Sequence, residues 1–326
     1  MKILVTGGAG YIGSFMVKRL INDSHEVVIV DSLERGNEKA IDKRATFLKG
    51  NLLENEFLSG VFSNHEFECV MHFAGYISVA ESMQDPGLYF KNNVFSTLML
   101  LESMNKHNIK NIIFSSTGTV YGDPTMIPMI EEYKTQPGNP YAESKLMVEN
   151  ILNWYQKVRN IKYGLLRYFN AAGGALDGGM GEHHIPEETH LIPNTIKAAL
   201  RNSELSLFGN DYDTPDGTCI RDYIHVLDLV EAHILSLKNI TESQKSHTYN
   251  VGTGNGHSNK EVIEMVKKIS GVDFPVVIKP RRSGDSAATV ANVTKIKQEL
   301  NFVPKYSDLE TIVSSAWKWH KSHDNV

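Results

Sequence analysis

The chain has 326 residues, of which 41% are hydrophobic and 22% charged, and its formal net charge is −5. This length supports a large core, built as one big domain or two smaller ones, and the composition is ordinary for a globular protein. The negative charge argues against nonspecific nucleic-acid binding, and no segment approaches the length of a membrane span. Without a signal-like start, and with two cysteines far apart, we expect a cytoplasmic protein with neither a nucleic-acid nor a membrane partner.

Short apolar runs rich in β-branched residues alternate with longer helical patterns along the first half of the chain. The helical patterns start near Tyr11, Glu54 and Pro86. The runs that predict strands are Lys2–Thr6, Glu26–Val30, Thr46–Lys49, Cys69–Phe73 and Asn111–Ser115. Such alternation is typical of βαβ units with right-handed crossovers, so it predicts an α/β fold with a doubly wound parallel sheet.

This regular alternation weakens after about Asn170, where a glycine-rich stretch suits a loop or a hinge. Shorter mixed elements follow, with predicted strands at Leu205–Phe208, Thr248–Val251 and Val276–Lys279. We therefore expect a first domain at residues 1–169 and a smaller mixed α/β substrate-binding domain at residues 170–326. Part of 220–240 is expected to return to the first domain.

Two helix starts in the chain are marked by capping residues. Asn139 can cap a helix that has Pro140 at its first position. Ser258 and Glu261 have the spacing of a capping box, and Gly271 is placed to end the helix that follows.

A glycine-rich loop, Gly7–Gly13, follows the first predicted strand and opens the first predicted helix. Its glycines allow a tight turn, a close backbone approach to a pyrophosphate and close packing of helix on strand. The helix would then face the phosphates with unpaired amides. Asp31 ends the next strand, where a carboxylate binds an adenosine ribose and repels a 2′-phosphate. This Rossmann-like pattern predicts NAD in preference to NADP, although Arg35 lies nearby in sequence.

Tyr141 and Lys145 lie four residues apart, which places them on one face of a helix. An ammonium group near a phenol lowers the pKa of the phenol, and the lysine can also bind cofactor ribose hydroxyls. A phenol tuned in this way can exchange a hydroxyl proton while a hydride moves to or from a nicotinamide. Hydroxyls at Ser115, Ser116 and Thr117 follow a predicted strand, so one of them could hold the substrate oxygen and relay a proton.

Together these residues resemble the extended short-chain dehydrogenase/reductase family over nearly the whole chain. The motifs that carry the resemblance are Gly7–Gly13, His72–Gly75, Ser115–Tyr121, Tyr141–Lys145, Arg167–Asn170, Arg221–Val226 and Pro280–Asp285. Within the family, the chain is most similar to members that invert carbon 4 of UDP-glucose and UDP-galactose through a transient 4-keto sugar. The resemblance therefore implies an isomerase with tightly bound NAD and a UDP-hexose substrate.

The resemblance also implies roles for individual residues. Tyr141 is expected to be the acid–base residue and Lys145 to tune it, while Thr117, where the family often has serine, relays the proton. The implied cofactor contacts are Gly7, Gly10, Tyr11, Ile12, Gly13, Asp31, Asn51, Leu52, Phe73, Ala74, Gly75, Asn92, Ser115, Tyr141, Lys145 and Tyr168. The implied substrate contacts are Thr117, Tyr141, Asn170, His190, Leu191, Phe208, Arg221, Tyr223, Arg282, Asp285 and Thr289.

Two further expectations follow from the resemblance. Thr289 lies where some family members have a bulky tyrosine against the sugar, so room for a 2-acetamido group is expected. UDP-N-acetylglucosamine and UDP-N-acetylgalactosamine would then also be substrates. The helix around Leu98–Met104 and the helix from Pro140 are implied to pair with a second subunit, which predicts a homodimer.

Other enzymes of the family share the fold and the Tyr–Lys pair. Dehydratases carry Asp-Glu directly after the strand-end Thr, and decarboxylases have Glu at the second position. Here those positions are Gly118 and Thr119, and neither can act as a carboxylate acid or base. This difference favours a reaction that needs only reversible hydride transfer.

The residues also argue against a non-catalytic NAD-binding sensor and against a zinc site. A non-catalytic NAD-binding sensor would not need the intact tyrosine, lysine and threonine described above. A zinc site could use His183, His184 and His190, but these lack cysteine partners and a helical i, i+4 pairing. No metal is therefore expected.

Overall fold

The computed structural model describes residues 1–123, 126–183, 188–282 and 285–323. The strands are Lys2–Thr6 (β1), Glu26–Asp31 (β2), Thr46–Lys49 (β3), Cys69–His72 (β4), Asn111–Thr117 (β5), Lys162–Tyr168 (β6), Asn170–Ala172 (β7), Leu205–Phe208 (β8), Ile220–His225 (β9), His247–Val251 (β10), Gly256–Ser258 (β11), Val276–Lys279 (β12) and Ala288–Thr289 (β13). The helices are Tyr11–Asn22 (α1), Asn55–Asn64 (α2), Val79–Gln84 (α3), Pro86–Tyr89 (α4), Ser96–Lys106 (α5), Pro140–Arg159 (α6), Leu191–Arg201 (α7), Val226–Ser243 (α8), Asn259–Ser270 (α9), Thr294–Leu300 (α10) and Leu309–His323 (α11). A π-helical segment, Phe90–Phe95, runs into α5, and 3₁₀ turns lie at Glu38–Ala40 and Gly118–Tyr121.

Seven strands form the main sheet of the described residues, in the order β10-β6-β5-β4-β1-β2-β3. β1 lies between β2 and β4 and is parallel to both, and β2–β3 and β4–β5 are parallel as well. The apolar runs are buried because helices cover the faces of such a sheet. The predicted doubly wound α/β fold is therefore confirmed, and it brings the carboxyl ends of β1, β2, β4 and β5 to one edge.

The chain divides into two compact units that interleave along the sequence. Residues 1–122, 134–167 and 232–249 form the first unit, and residues 123–133, 168–231 and 250–326 form the second. The core of the first unit includes Leu4, Val28 and Ile112, and that of the second includes Ile196 and Ile312. The expected domain boundary at residue 169 stays a prediction.

The predicted helix caps are present in the structure. The Asn139 side chain accepts a hydrogen bond from the amide of Ala142 at 2.9 Å, with Pro140 at the first position of α6. Ser258 and Glu261 form a reciprocal capping box, and Gly271 ends α9 with a φ of 72°. Each signal is confirmed because the residues that decide it lie within one helical turn.

Some boundaries and elements differ from the prediction. β5 continues through Thr117, so Ser115, Ser116 and Thr117 lie in the strand and not after it, while β4 ends at His72 and leaves Phe73 beyond the strand. The short elements α3, β7, β11 and β13 were not predicted, since two to six residues carry little periodicity. Among the described residues, no helix has the length and apolar character needed to cross a membrane.

Candidate functional site

The loop Gly7–Gly13, which leads from β1 into α1, packs so closely that side chains in place of its glycines would fill it. We call this loop the glycine cradle. Gly7 has a φ of 73°, and a Cβ there would stand 2.5 Å from the amide nitrogen of Ala74. A Cβ at Gly13 would overlap the Gly7 carbonyl oxygen. Gly10 is the N-cap of α1 and supplies no side-chain partner to the first-turn amides, where Tyr11 and Ile12 lie. These amides and the close glycine packing fit a pyrophosphate, as the sequence predicted.

An open cleft lies beside this loop within the first unit. Seven of the expected cofactor contacts line the cleft: Gly7, Asp31, Asn51, Leu52, Ala74, Gly75 and Asn92. The sequence did not single out other lining residues, among them Glu34, Gly36 and Tyr76. We call this space the glycine-loop cleft, and its position at the strand ends suits a dinucleotide.

The charges in the glycine-loop cleft favour a ribose hydroxyl pair over a 2′-phosphate. Asp31 accepts hydrogen bonds from the amides of Ala9 and Leu33, at 3.0 and 2.9 Å, which fix the carboxylate at the end of β2. Arg35 donates to Glu81 at 2.7 Å and lies over the Tyr76 ring, 4.6 Å from its centroid. Because Glu81 already pairs this guanidinium, Arg35 does not offset the repulsion of a phosphate by Asp31.

Tyr141 and Thr117 form the hydroxyl pair of the site. Tyr141 is 9% exposed and its hydroxyl is hydrogen-bonded to the Thr117 side chain. Burial raises the pKa of Tyr141 to about 12, while the bond to Thr117 acts to lower it. The lowering influence of the nearby lysine stays a prediction, and in the structure the net direction of the shift is set by burial. Thr117 is held in turn by the amide and hydroxyl of Thr119.

Lys145 is buried beside the cleft. Its ammonium group donates to the Ser115 carbonyl at 3.1 Å and lies 5.0 Å from the centroid of the Phe114 ring. Burial lowers the pKa of Lys145 to about 8. A Cβ at Gly75 would stand 3.5 Å from this nitrogen, so the lysine reaches the part of the cleft that Gly75 lines.

Asn93 is a functional residue that sequence reasoning missed. It lies in the π-helical segment, and its side chain accepts from the amide of Tyr76 and donates to the Tyr76 carbonyl. The same amide group donates to the Ser144 hydroxyl on α6 at 3.0 Å. Asn93 thereby fixes the wall of the cleft to the helix that carries Tyr141 and Lys145. A π-helical insertion is common at functional sites, but no sequence pattern marks it.

Two buried pairs next to β5, Arg167 with Glu149 and Ser115 with His233, were also not predicted from the sequence. Arg167 donates to both carboxylate oxygens of Glu149, at 3.0 and 2.6 Å, and to the Tyr121 hydroxyl. Glu149 also accepts from Ser116 at 2.5 Å. The Ser115 hydroxyl bonds to the ring of His233, which packs on Phe73 at 5.0 Å between centroids. These contacts hold Ser115 and Phe73 in place, so both are supporting residues in this structure.

In the second unit, several predicted substrate contacts lie around β9. Arg221 donates to the carbonyls of Ile220 and Ser286, and it lies 3.6 Å from Asp285. Thr289 on β13 stands opposite Arg221 in the strand register. Arg221, Asp285 and Thr289 are therefore brought together as the resemblance implied. Ser283 and Gly284 of the same motif lie outside the described residues.

Asp222 lies next to this cluster and holds it together through hydrogen bonds. The sequence analysis did not predict a role for this residue. It is fully buried and accepts four hydrogen bonds, from the amides of Thr253, Gly254 and Ala291 and the hydroxyl of Thr253. Because three of these donors lie in one loop and the fourth just after β13, Asp222 ties that loop and β13 to β9. Asn170 donates to the Asp222 carbonyl at 3.2 Å and stands opposite Tyr223 in the register of β7 and β9.

The remaining predicted contacts also lie in the second unit. Arg282 stacks over Phe208, 4.0 Å from the ring centroid, and Tyr168 ends β6. His190 caps the start of α7, where Leu191 is the first residue, and bonds to the buried carboxylate of Glu182.

Among the described residues, His183 and His190 do not fall in one group of possible metal ligands. His190, Glu182 and Glu188 offer ligand atoms within 4.8 Å of one another, but His183 is not among them. His184 lies outside the described residues. In the structure, Nδ1 of His190 is hydrogen-bonded to Glu182. This nitrogen is therefore occupied by a hydrogen bond.

Comparison with known proteins gives consistent matches. A profile described as the NAD dependent epimerase/dehydratase family matches residues 3–252. The UDP-glucose 4-epimerase of Lactobacillus helveticus is 45% identical over 324 residues, which cover 99% of this chain and 98% of that protein. The crystal structure of UDP-glucose 4-epimerase from Bifidobacterium longum, in complex with NAD⁺ and UDP, is 38% identical. Its TM-score is 0.94, with 100% of this chain and 99% of that chain covered.

A further solved structure is the UDP-Glc/GlcNAc 4-epimerase of Campylobacter jejuni, 40% identical with a TM-score of 0.86 over 98% of this chain and 99% of that chain. These matches confirm the family resemblance, the fold and the NAD cofactor that the sequence predicted. With the glycine cradle, Asp31 and the Tyr–Lys helix in place, the chain belongs to the NAD dependent epimerase/dehydratase family.

Proposed function

We propose that the chain is an isomerase that interconverts UDP-glucose and UDP-galactose by inversion at carbon 4. The observation that carries the proposal is the Tyr141–Thr117 hydroxyl pair with Lys145 buried beside Gly75. Relatives named for this reaction match the full length of the chain. Residues 118 and 119 supply no carboxylate, which favours inversion over elimination or decarboxylation.

The cofactor supplies reversible uptake and return of a hydride, and Gly7–Gly13, Asp31 and Gly75 would hold it. The Tyr141 phenolate would take the proton of the sugar 4-hydroxyl and return it when carbon 4 is reduced again, with the Thr117 hydroxyl hydrogen-bonded between the sugar oxygen and the tyrosine oxygen. Burial of Tyr141 raises its pKa, which makes the phenol a weaker acid and disfavours the phenolate that must accept this proton. Lys145, when charged, would stabilise the phenolate that forms after the proton leaves.

The uridine diphosphate would be held by residues of the second unit. Arg221 and Arg282 present planar guanidinium groups, which pair well with phosphate oxygens. Asp285 lies 3.6 Å from Arg221 and restrains its position. A diphosphate held in this way would let the 4-keto sugar turn and present its other face.

We also propose activity on the N-acetylated sugars. Thr289 is a small side chain opposite Arg221, which leaves room for a 2-acetamido group. One relative is named for both UDP-Glc and GlcNAc. Thr289→Tyr is expected to reduce turnover of UDP-N-acetylgalactosamine at least about tenfold, as a lost pocket can, and to spare UDP-galactose. Equal activity of the variant on both substrates would contradict the role of residue 289.

A homodimer is proposed from an apolar stripe on α6. Met147, Trp154 and Val158 lie on one face at helical spacing and are exposed, with Trp154 at 63%. Tyr155 of α6 donates to Glu102 of α5, so these two helices lie side by side. A second copy of the chain would cover the stripe, because patches of this kind mark interfaces. Trp154→Lys should give a monomer by light scattering, whereas Val303→Lys, at an equally exposed position, should not.

Turnover itself tests the reaction. Purified protein is incubated separately with UDP-galactose and with UDP-N-acetylgalactosamine, and the products are separated by chromatography. Appearance of the gluco epimers without net NADH supports the proposal. Tyr141→Phe is expected to lower turnover by about 10²- to 10⁴-fold, since it removes the group that takes up and returns the proton. Normal turnover of that variant would refute the scheme, and NAD binding without any turnover would point to a sensor.

A further inference from the structure

We propose that Glu182 is a positioning residue that keeps His190 in its imidazolium form, so that His190 binds the diphosphate of the nucleotide sugar as a cation. The inference rests on the proposed function, because it assumes a diphosphate ligand at the second unit. Glu182 belongs to none of the roles described above. It deepens the proposed site by assigning the charge state of one contact.

The geometry around Glu182 is that of a built pair. Its side chain is 4% exposed and its carboxylate accepts from Nδ1 of His190, whose own side chain is 48% exposed. Trp319 of α11 donates through its indole nitrogen to the Glu182 carbonyl at 3.1 Å. A Cβ at Gly181 would overlap the Trp319 ring, so the indole packs directly on the backbone before Glu182. The backbone at Glu182 is thus fixed, while the side chain of His190 reaches solvent.

Two carboxylates among the described residues act on the charge of His190 in the same direction. Glu182 faces its ring, and Glu188 accepts from the amide of His190 at 3.1 Å. Burial acts to lower the pKa of His190, but the Glu182 carboxylate outweighs it and raises the pKa to about 9, with a smaller contribution from Glu188. A histidine at its ordinary pKa of about 6.5 would be mostly neutral at neutral pH.

The position of His190 suits an anionic ligand. It precedes α7, so the first-turn amides and the positive end of the helix dipole lie next to the ring. Ile192, in the first turn of α7 after His190, packs in one buried cluster with Tyr223, which lies two positions after Arg221 on β9. Two cations and a helix N-terminus on these packed elements match the charge of a diphosphate.

The test measures UDP binding by calorimetry between pH 5.5 and 8.5, with EDTA present, for wild type, Glu182→Gln, His190→Gln and the double variant. Glu310→Gln serves as the control, because Glu310 pairs with Lys268 on the surface. Wild-type binding of UDP tests the proposed function by itself. The protonation of UDP itself changes with pH in the same way for every variant. The ratio of the dissociation constants of variant and wild type therefore reports only the change at His190.

At pH 8 the Glu182→Gln variant is expected to bind UDP about tenfold more weakly than wild type, since its histidine returns toward a pKa of about 6.5. At pH 5.5 His190 is charged in both the wild type and the variant, so the difference in their affinity for UDP should vanish. The double variant should bind UDP no more weakly than His190→Gln does, as expected for two residues that act as one unit. A Glu182→Gln effect that is constant across pH would overturn the inference, as would an effect abolished by EDTA, which would indicate a metal site.

A second measurement uses the wild-type protein alone, so it does not depend on whether a variant folds. The NMR titration of the His190 ring in the wild-type protein should give a midpoint well above 6.5. A midpoint at or below 6.5, with UDP still bound, would overturn the inference and leave the proposed function standing.

Discussion

Replacing Lys145 with methionine is expected to abolish turnover and yet stabilise the fold. In the structure the lysine is buried on α6, and burial lowers its pKa from 10.5 to about 8. A base whose pKa is lowered by folding binds fewer protons when folded than when unfolded, so its charge opposes folding below pH 8. Each pKa unit corresponds to about 1.4 kcal/mol, which gives a penalty of about 3 kcal/mol at pH 7.

The sign of the pH dependence identifies this cause. Between pH 8 and 10.5 the unfolded chain holds the lysine proton while the folded chain releases it, so wild-type stability should rise with pH. The advantage of Lys145→Met should therefore fall from about 3 kcal/mol at pH 7 to below about 1 kcal/mol at pH 10. Losing the hydrogen bond to the Ser115 carbonyl offsets about 1 kcal/mol of this gain at each pH.

Urea unfolding of nucleotide-free protein at pH 7 and pH 10 measures both quantities. Removal of nucleotide matters because bound NAD stabilises any variant that retains it. Lys297→Met is the control, since Lys297 is an exposed lysine on helix α10. The control should change stability by less than about 0.5 kcal/mol at either pH. A Lys145→Met variant that is destabilised at pH 7, or whose advantage does not depend on pH, would refute the reasoning.

Two other changes test the cradle and the buried pair. Gly13→Ala should weaken NAD binding at least about tenfold in equilibrium dialysis, because the new Cβ overlaps the Gly7 carbonyl. Gly60→Ala, whose Cβ meets nothing within 4 Å, should keep the affinity, and equal affinities would contradict the cradle. Arg167→Met should lower the free energy of unfolding by about 3–5 kcal/mol, since it leaves the Glu149 carboxylate buried without its cation. Adding Glu149→Leu should recover most of that loss, and a double variant no better than the single one would argue against the charge explanation.

The parts of this molecule that sequence predicts are those decided by near neighbours. The glycine cradle, the caps at Asn139 and Ser258, and the i, i+4 spacing of Tyr141 and Lys145 each depend on residues within one or two turns. Local geometry fixes these features before any long-range contact forms. Most strands of the main sheet were predictable for a similar reason, because buried parallel strands read as apolar runs, whereas β6 at Lys162–Tyr168 was not predicted.

The supporting contacts of the site could not be predicted, because their partners are distant in sequence. Asn93 bonds to Ser144, 51 positions away, and Ser115 bonds to His233, 118 positions away. The direction of the Tyr141 pKa shift was also missed, since spacing gives the neighbour but not the burial. Burial depends on packing of the whole unit and outweighs a single nearby charge when that charge is itself desolvated.

The buried face of α6 explains how one helix can position a reaction so closely. Tyr141, Ser144, Lys145 and Glu149 all lie on it and are all buried. Each is held from a different direction: Thr117 bonds Tyr141, Asn93 bonds Ser144, the Ser115 carbonyl bonds Lys145, and Arg167 bonds Glu149. Since these partners belong to β5, the π-helical segment and β6, the helix can neither rotate nor slide without breaking several buried bonds at once. Burying a lysine costs stability, and this network of polar contacts offsets the cost while holding the phenol where a proton must be exchanged.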